Sequence, residues 1–131
     1  MKPKITRYNA SNARTSQEEA TQVPSMAMLK RGVFRLNTRL LKLLAAEIGD
    51  GVEFLHDETM NEWYVAKAGN GLPIRKARHN GGTVHSAVVR RAIEKHTEVE
   101  HGRFLVASEP TDIGGTKCYA ILTGSAKMKA A

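Results

Sequence analysis

The segment Val33-Phe34-Arg35-Leu36-Asn37-Thr38-Arg39-Leu40-Leu41-Lys42-Leu43-Leu44, running on to Ile48-Gly49-Asp50-Gly51-Val52-Glu53-Phe54, changes its hydrophobic period twice. Phe34 and Leu36 alternate with Val33, Arg35 and Asn37, as a strand with one buried face requires. Asn37 or Thr38 then offers a side-chain oxygen for an N-cap, and Leu40, Leu41, Leu43, Leu44 and Ile48 recur at helical spacing. Gly49-Asp50-Gly51 is expected to stop this short helix, after which Val52-Glu53-Phe54-Leu55-His56 reads as a strand. Asp57 to Asn61 form a polar loop, and Trp63-Tyr64-Val65-Ala66-Lys67 returns as the other arm of a hairpin. The unit is therefore a strand, a short helix and a hairpin.

Working outward, the same order of elements recurs. Gly69-Asn70-Gly71 breaks the chain, Pro73 keeps Leu72-Pro73-Ile74 extended, and Arg75, Lys76, Arg78 and His79 read as a surface connection ending at Asn80-Gly81-Gly82. Thr83-Val84-His85 is a short extended piece. Ser86 caps a helix carrying Val88, Val89, Ala92, Ile93 and His96, and His101-Gly102 leads into strand Arg103-Phe104-Leu105-Val106-Ala107. A loop from Ser108 to Gly115 precedes the return strand from Lys117 to Leu122. Repetition with so little identity is compatible with an internal duplication and also with chance in a small mixed domain.

Toward the ends the pattern fades. Residues 1–28 hold few large apolar side chains and no sustained period, so they read as a flexible N-terminal arm, either a disordered terminus or a segment that orders on a partner. Met26, Met28 and Leu29 alternate at its edge, as the start of an ordered fold would. Residues 125–131 are small and basic and read as a tail, leaving 29–124 for a single domain. The N-terminus shows no signal peptide, no apolar run approaches a membrane span, and the lone Cys118 has no intrachain partner, so a cytoplasmic protein with no membrane association is expected. Twenty Lys and Arg against 13 Asp and Glu give a formal charge of +7 in 131 residues, a balance that favours polyanions. Residues 69–82 are the most lopsided, with three basic groups and no acidic one.

Arg35-Leu36-Asn37 before a leucine-rich helix, then Ile48-Gly49-Asp50-Gly51-Val52-Glu53-Phe54, then a hairpin returning through Trp63-Tyr64-Val65, resembles the swapped-hairpin DNA-binding fold of the AbrB, MazE and SpoVT type. The resemblance covers residues 30–68. It implies a mainly β barrel with short helices, in which two β-α-β-β halves interlock about a pseudo-twofold axis. That family builds the barrel from two identical chains. Here a second, diverged copy at 83–123 is expected to complete it within one polypeptide, with Glu100-His101-Gly102 in place of the Gly-Asp turn.

The resemblance further implies a transcriptional regulator that binds DNA along the edge carrying Arg31, Arg35 and Arg39, with Lys30 and Lys42 nearby. Arginine suits that role because its planar fork meets phosphate or guanine bidentately. The competing reading is a solvated basic face balanced by Glu47, Asp50 and Glu53. Arg75, Lys76 and Arg78 add a candidate phosphate contact, whereas Arg90 has Glu94 four residues on as an ion-pair partner. Trp63, Tyr64 and Tyr119 fall where packing is the expected use. The five histidines and single cysteine offer no metal-ligand spacing, Asp57, Glu58 and Glu62 read as solvated turn carboxylates, and no nucleophile elbow or phosphate loop is present. No enzyme, metal or cofactor is therefore expected. The alternative to a regulator is a structural or assembly protein of a phage or mobile element whose arm binds partner proteins. An antitoxin ranks below both, and self-association stays open.

Overall fold

Met26 and Met28 alternate toward one side, as do Phe34 and Leu36, and these four buried side chains set the first hairpin. The computed structural model describes residues 23–78 and 80–124. Strand β1 (Ser25–Met28) pairs antiparallel with β2 (Val33–Leu36) across a 3-10 turn at Lys30–Gly32. The domain thus begins earlier than expected, because residues 25–28, read from sequence as part of the arm, are a strand of the sheet. Residues 1–22 and the tail at 125–131 lie outside the described residues.

Helix α1 (Thr38–Leu44) follows β2, capped by Asn37, whose Oδ1 accepts from Leu40 N at 2.9 Å and from Ser25 N at 3.1 Å. One amide thus joins helix to hairpin. The helix ends sooner than its leucine spacing suggests. Ala45 turns left-handed, its N–H donates to Lys42 O and that of Ala46 to Leu41 O, a Schellman closure that satisfies the last carbonyls. Ile48, expected on the helix, is off it and about half exposed at 49%. Asp50 Oδ2 accepts from Glu47 N, turning the chain into β3 (Gly51–Asp57), which pairs with β4 (Glu62–Lys67).

The next segment bears out the extended reading of 72–74 and corrects the reading of residues 75–78 as a mere connection. Leu72–Pro73 is strand β5 and pairs with β3, while Arg75–Lys76 is β6 and pairs with β7 (Gly82–His85). Ile74 between them is buried at 1%, and its N–H donates to Asp50 O. Helix α2 (Ala87–Thr97) is capped by Ser86 Oγ, which accepts from Val89 N. Strand β8 (Gly102–Ile113) and β9 (Thr116–Leu122) form the last hairpin. Residues 108–113, expected as loop, belong to β8. A bulge between Val106 and Pro110 resets the register, and the two-residue turn Gly114-Gly115 has both φ values positive, as a tight hairpin requires.

The nine strands lie in the order β5-β3-β4-β9-β8-β1-β2-β7-β6. Because β5 and β6 are two ends of one extended segment, that segment joins both margins of the sheet and nearly closes it into an antiparallel barrel. Hairpin β1–β2 is lodged between β8 and β7, strands that come later in the chain. The interior is filled by Phe34, Phe104, Leu36, Ile74, Val52 and Val65, with Leu40 of α1 and Ile93 of α2 packed against them. Since β2 and β7 run antiparallel and each feeds a helix, α1 and α2 leave from opposite ends of the barrel.

Tyr64, Ala66 and Cys118 form a second buried cluster. Tyr64 Oη donates to Glu62 Oε2 at 2.6 Å, and its phenol is pushed up to about 12, first by that bond and then by burial and nearby acidic charge. Burial likewise raises the Cys118 thiol. Both folded groups hold their protons more tightly than the unfolded chain does. The resulting stability is therefore complete below the unfolded values of 9.0 for the thiol and 10.0 for the phenol, and is lost as pH rises toward the folded ones. Melting temperature is expected to fall from about pH 9 upward, and Tyr64→Phe to flatten the part of the fall above pH 10. Thermal melts from pH 7 to 11 test this, and identical profiles for both proteins would count against it.

Candidate nucleic-acid interface

In an antiparallel sheet, residues directly opposite one another share a face, and successive residues along a strand alternate faces. Phe34 and Leu36 point into the barrel, so Arg35 points out. Following the register from Arg35, Ala27 is its partner on β1 and Thr83 its partner on β7. Ala27 is in turn opposite Arg103 on β8, and Thr83 opposite Arg75 on β6. The result is one outward row, Arg103-Ala27-Arg35-Thr83-Arg75, crossing five adjacent strands. With strands about 4.8 Å apart, neighbouring arginines along the row are about 10 Å apart. The short side chains of Ala27 and Thr83 leave each guanidinium room to extend. All three arginines are exposed.

Two basic turns flank this row. Lys30 and Arg31 occupy the β1–β2 turn, where Arg31 has φ 63 and Gly32 has φ 77. A Cβ on Gly32 would lie 2.6 Å from Ala87 N, so glycine is what allows the turn to sit against the start of α2. Lys76 and Arg78 lie at and beyond the end of β6 and are exposed. The turn they enter packs its Gly81 on the backbone of Leu36 and Asn37, beside the start of α1. Arg39 and Lys42 are exposed on α1. The structure therefore brings Arg35 and Arg75 into one row, with Arg31 at one end of β2 and Arg39 and Lys42 on the helix leaving the other.

Arg103 belongs to the row and was not singled out from sequence. It sits far along the chain from Arg35, and only the pairing of β1 between β8 and β2 makes them neighbours. Among the described residues no ion pair engages Arg31, Arg35, Arg75 or Arg103. Glu47, Asp50 and Glu53, weighed earlier as counter-charges, do not lie in the row. Asp50 instead approaches Lys67 Nζ at 3.7 Å. Glu53, Asp57 and Glu62 belong to β3 and β4, on the wall across the barrel from β2. The row itself thus holds positive charge with no carboxylate among its register partners.

Arg90 is committed elsewhere. It pairs with Glu94 at 2.9 Å as its spacing predicts, and also donates to Leu29 O and Glu100 O, clamping α2 to the first turn and to the approach of β8. His56 stacks on Trp63 with centroids 4.2 Å apart and lies 4.4 Å from His96. Asn61 holds the group together, with Oδ1 2.8 Å from His56 Nε2 and Nδ2 donating to His96 O. Among the described residues no set of three or more His, Cys, Asp or Glu side chains converges as metal ligands would. The carboxylates of the β3–β4 hairpin serve structure: Asp57 accepts from Thr59 N and Met60 N, and Glu62 from Tyr64. No helix among the described residues is long and apolar enough to cross a membrane. Comparison of the chain with protein-family models, with curated proteins and with solved structures finds no match.

Proposed function

We propose that this chain is a non-enzymatic DNA-binding protein, an AbrB-like regulator whose barrel joins two swapped-hairpin halves in one polypeptide. The observation that carries the proposal is the outward row of Arg103, Arg35 and Arg75, free of acidic neighbours in its register. A convex wall of extended arginines between two basic turns suits a duplex backbone, and it lacks the concavity and convergent reactive groups that catalysis needs.

The two-halves reading is supported by the strand registers. Exchanging β1 with the β5–β6 segment, β2 with β7, β3 with β8 and β4 with β9 carries one set of pairings onto the other. Met26 opposite Phe104 becomes Leu72 opposite Val52, and Phe54 opposite Val65 becomes Val106 opposite Ile121. Phe34 opposite Val84 and Tyr64 opposite Ala120 map onto themselves, as pairs lying on a twofold axis must. The interleaving of β1–β2 between β8 and β7 supports a swapped arrangement. On this reading each half gains a first strand that the 30–68 and 83–123 boundaries left out.

Binding is expected to be dominated by phosphate contacts. With about five such contacts, log affinity falls against log salt with a slope near −4.5. Gel shifts of random-sequence duplex across a salt series test this, and the absence of any shift at low salt would overturn the assignment.

A further inference from the structure

We infer that the DNA this chain recognises is an asymmetric, non-palindromic duplex site, held in one orientation. The inference rests on the DNA-binding reading and adds the class of sequence bound. A barrel made from two identical chains presents each outward row twice, and its target mirrors that symmetry. Here the exchange that relates the two halves sends Arg103-Ala27-Arg35-Thr83-Arg75 to Gly51-Pro73-His85-Val33-Leu29. Two steps of that second row lie in the ladder itself, Gly51 opposite Pro73 and Val33 opposite His85, and Leu29 N donates to Val33 O at 2.8 Å. All three arginines lie in the first row. The second holds one histidine, two aliphatic side chains, a glycine and a proline.

The flanking turns differ as well. The first is short, Lys30-Arg31-Gly32, and is held by Arg90 through Leu29 O, whereas the second runs from Ala77 to Gly81 and carries Arg78. A duplex lying across the axis therefore meets three guanidinium groups on one side and none in the equivalent place on the other. A good bidentate contact discriminates by about 1–3 kcal/mol, so the two orientations of a given duplex are not equivalent.

The test uses the full chain. Selection from a random duplex library at low salt supplies the bound sequence. Lys30→Cys and Asn80→Cys, both at exposed positions, are each labelled with an iron chelate that cuts nearby DNA; native Cys118, fully buried, does not compete for label. The expected result is a non-palindromic consensus, with each label cutting about tenfold more strongly on one side of it and the two labels on opposite sides. Exchanging Arg35→His together with His85→Arg is expected to narrow that ratio. A palindromic consensus, equal cutting on both sides, or binding with no consensus would overturn the inference while leaving DNA binding intact. Failure to bind any duplex would overturn both.

Discussion

Alanine at Arg35, Arg75 and Arg103 together is expected to weaken binding to duplex DNA by roughly a thousandfold at low salt, taking about 1.5 kcal/mol for each charged contact. The same variant should lose about three units from the salt slope, since each phosphate contact contributes close to one. The three side chains are exposed and make no ion pair among the described residues, so their removal leaves the core untouched and the melting temperature near that of the parent. Lys95 and Lys117, exposed on α2 and β9 outside the row, are the matching control. Their replacement removes two positive charges to the row's three and should cost far less affinity per charge. A triple variant that binds as tightly as the parent would show that the row is only a solvated face.

Phe34→Ala is expected to cost about 4 kcal/mol of folding stability, a large part of the 5–15 kcal/mol that a domain of this size holds. Phe34 is fully buried, sits opposite Val84 in the register and packs against Phe54 with ring centroids 5.2 Å apart. The strand on either side is fixed by ladder bonds to β1 and β7, so the walls cannot collapse far into the vacated space. The urea midpoint should fall with the slope of the transition unchanged. Val88→Ala provides the contrast. That side chain is 71% exposed, and its loss should change stability by no more than about 0.5 kcal/mol. Equal effects from the two substitutions would mean that the interior described around Phe34 is wrong.

Local rules carried much of the fold. The alternation of Phe34 and Leu36, the caps at Asn37 and Ser86, and the hairpin strands around Trp63 and Tyr119 all have short-range physical causes, and each is found where its pattern placed it. What escaped depends on distant partners. Residues 72–76 are too few, and too interrupted by Pro73, to show any period, yet Ile74 is buried because β3 and β7 lie on either side. Ser108, Glu109, Thr111 and Asp112 are polar because this arm of the hairpin is largely exposed, and its strand conformation comes mainly from ladder bonds to β9. The candidate site shows the same division. Arg35 could be assigned a face from its own neighbours, but its alignment with Arg75 and Arg103 is a property of register across five strands, which no single stretch of sequence contains.

The lodging of β1–β2 between two later strands has a consequence for synthesis of the chain. As the first half leaves the ribosome, its earliest hairpin has no flanking partners, because β7 and β8 have yet to be translated. Nearly the whole barrel must emerge before its opening strands can be enclosed, so productive folding is delayed until late in translation. With the β1–β8, β2–β7 and β4–β9 ladders joining strands far apart in sequence, closure then belongs to the millisecond-to-second regime rather than the microsecond one.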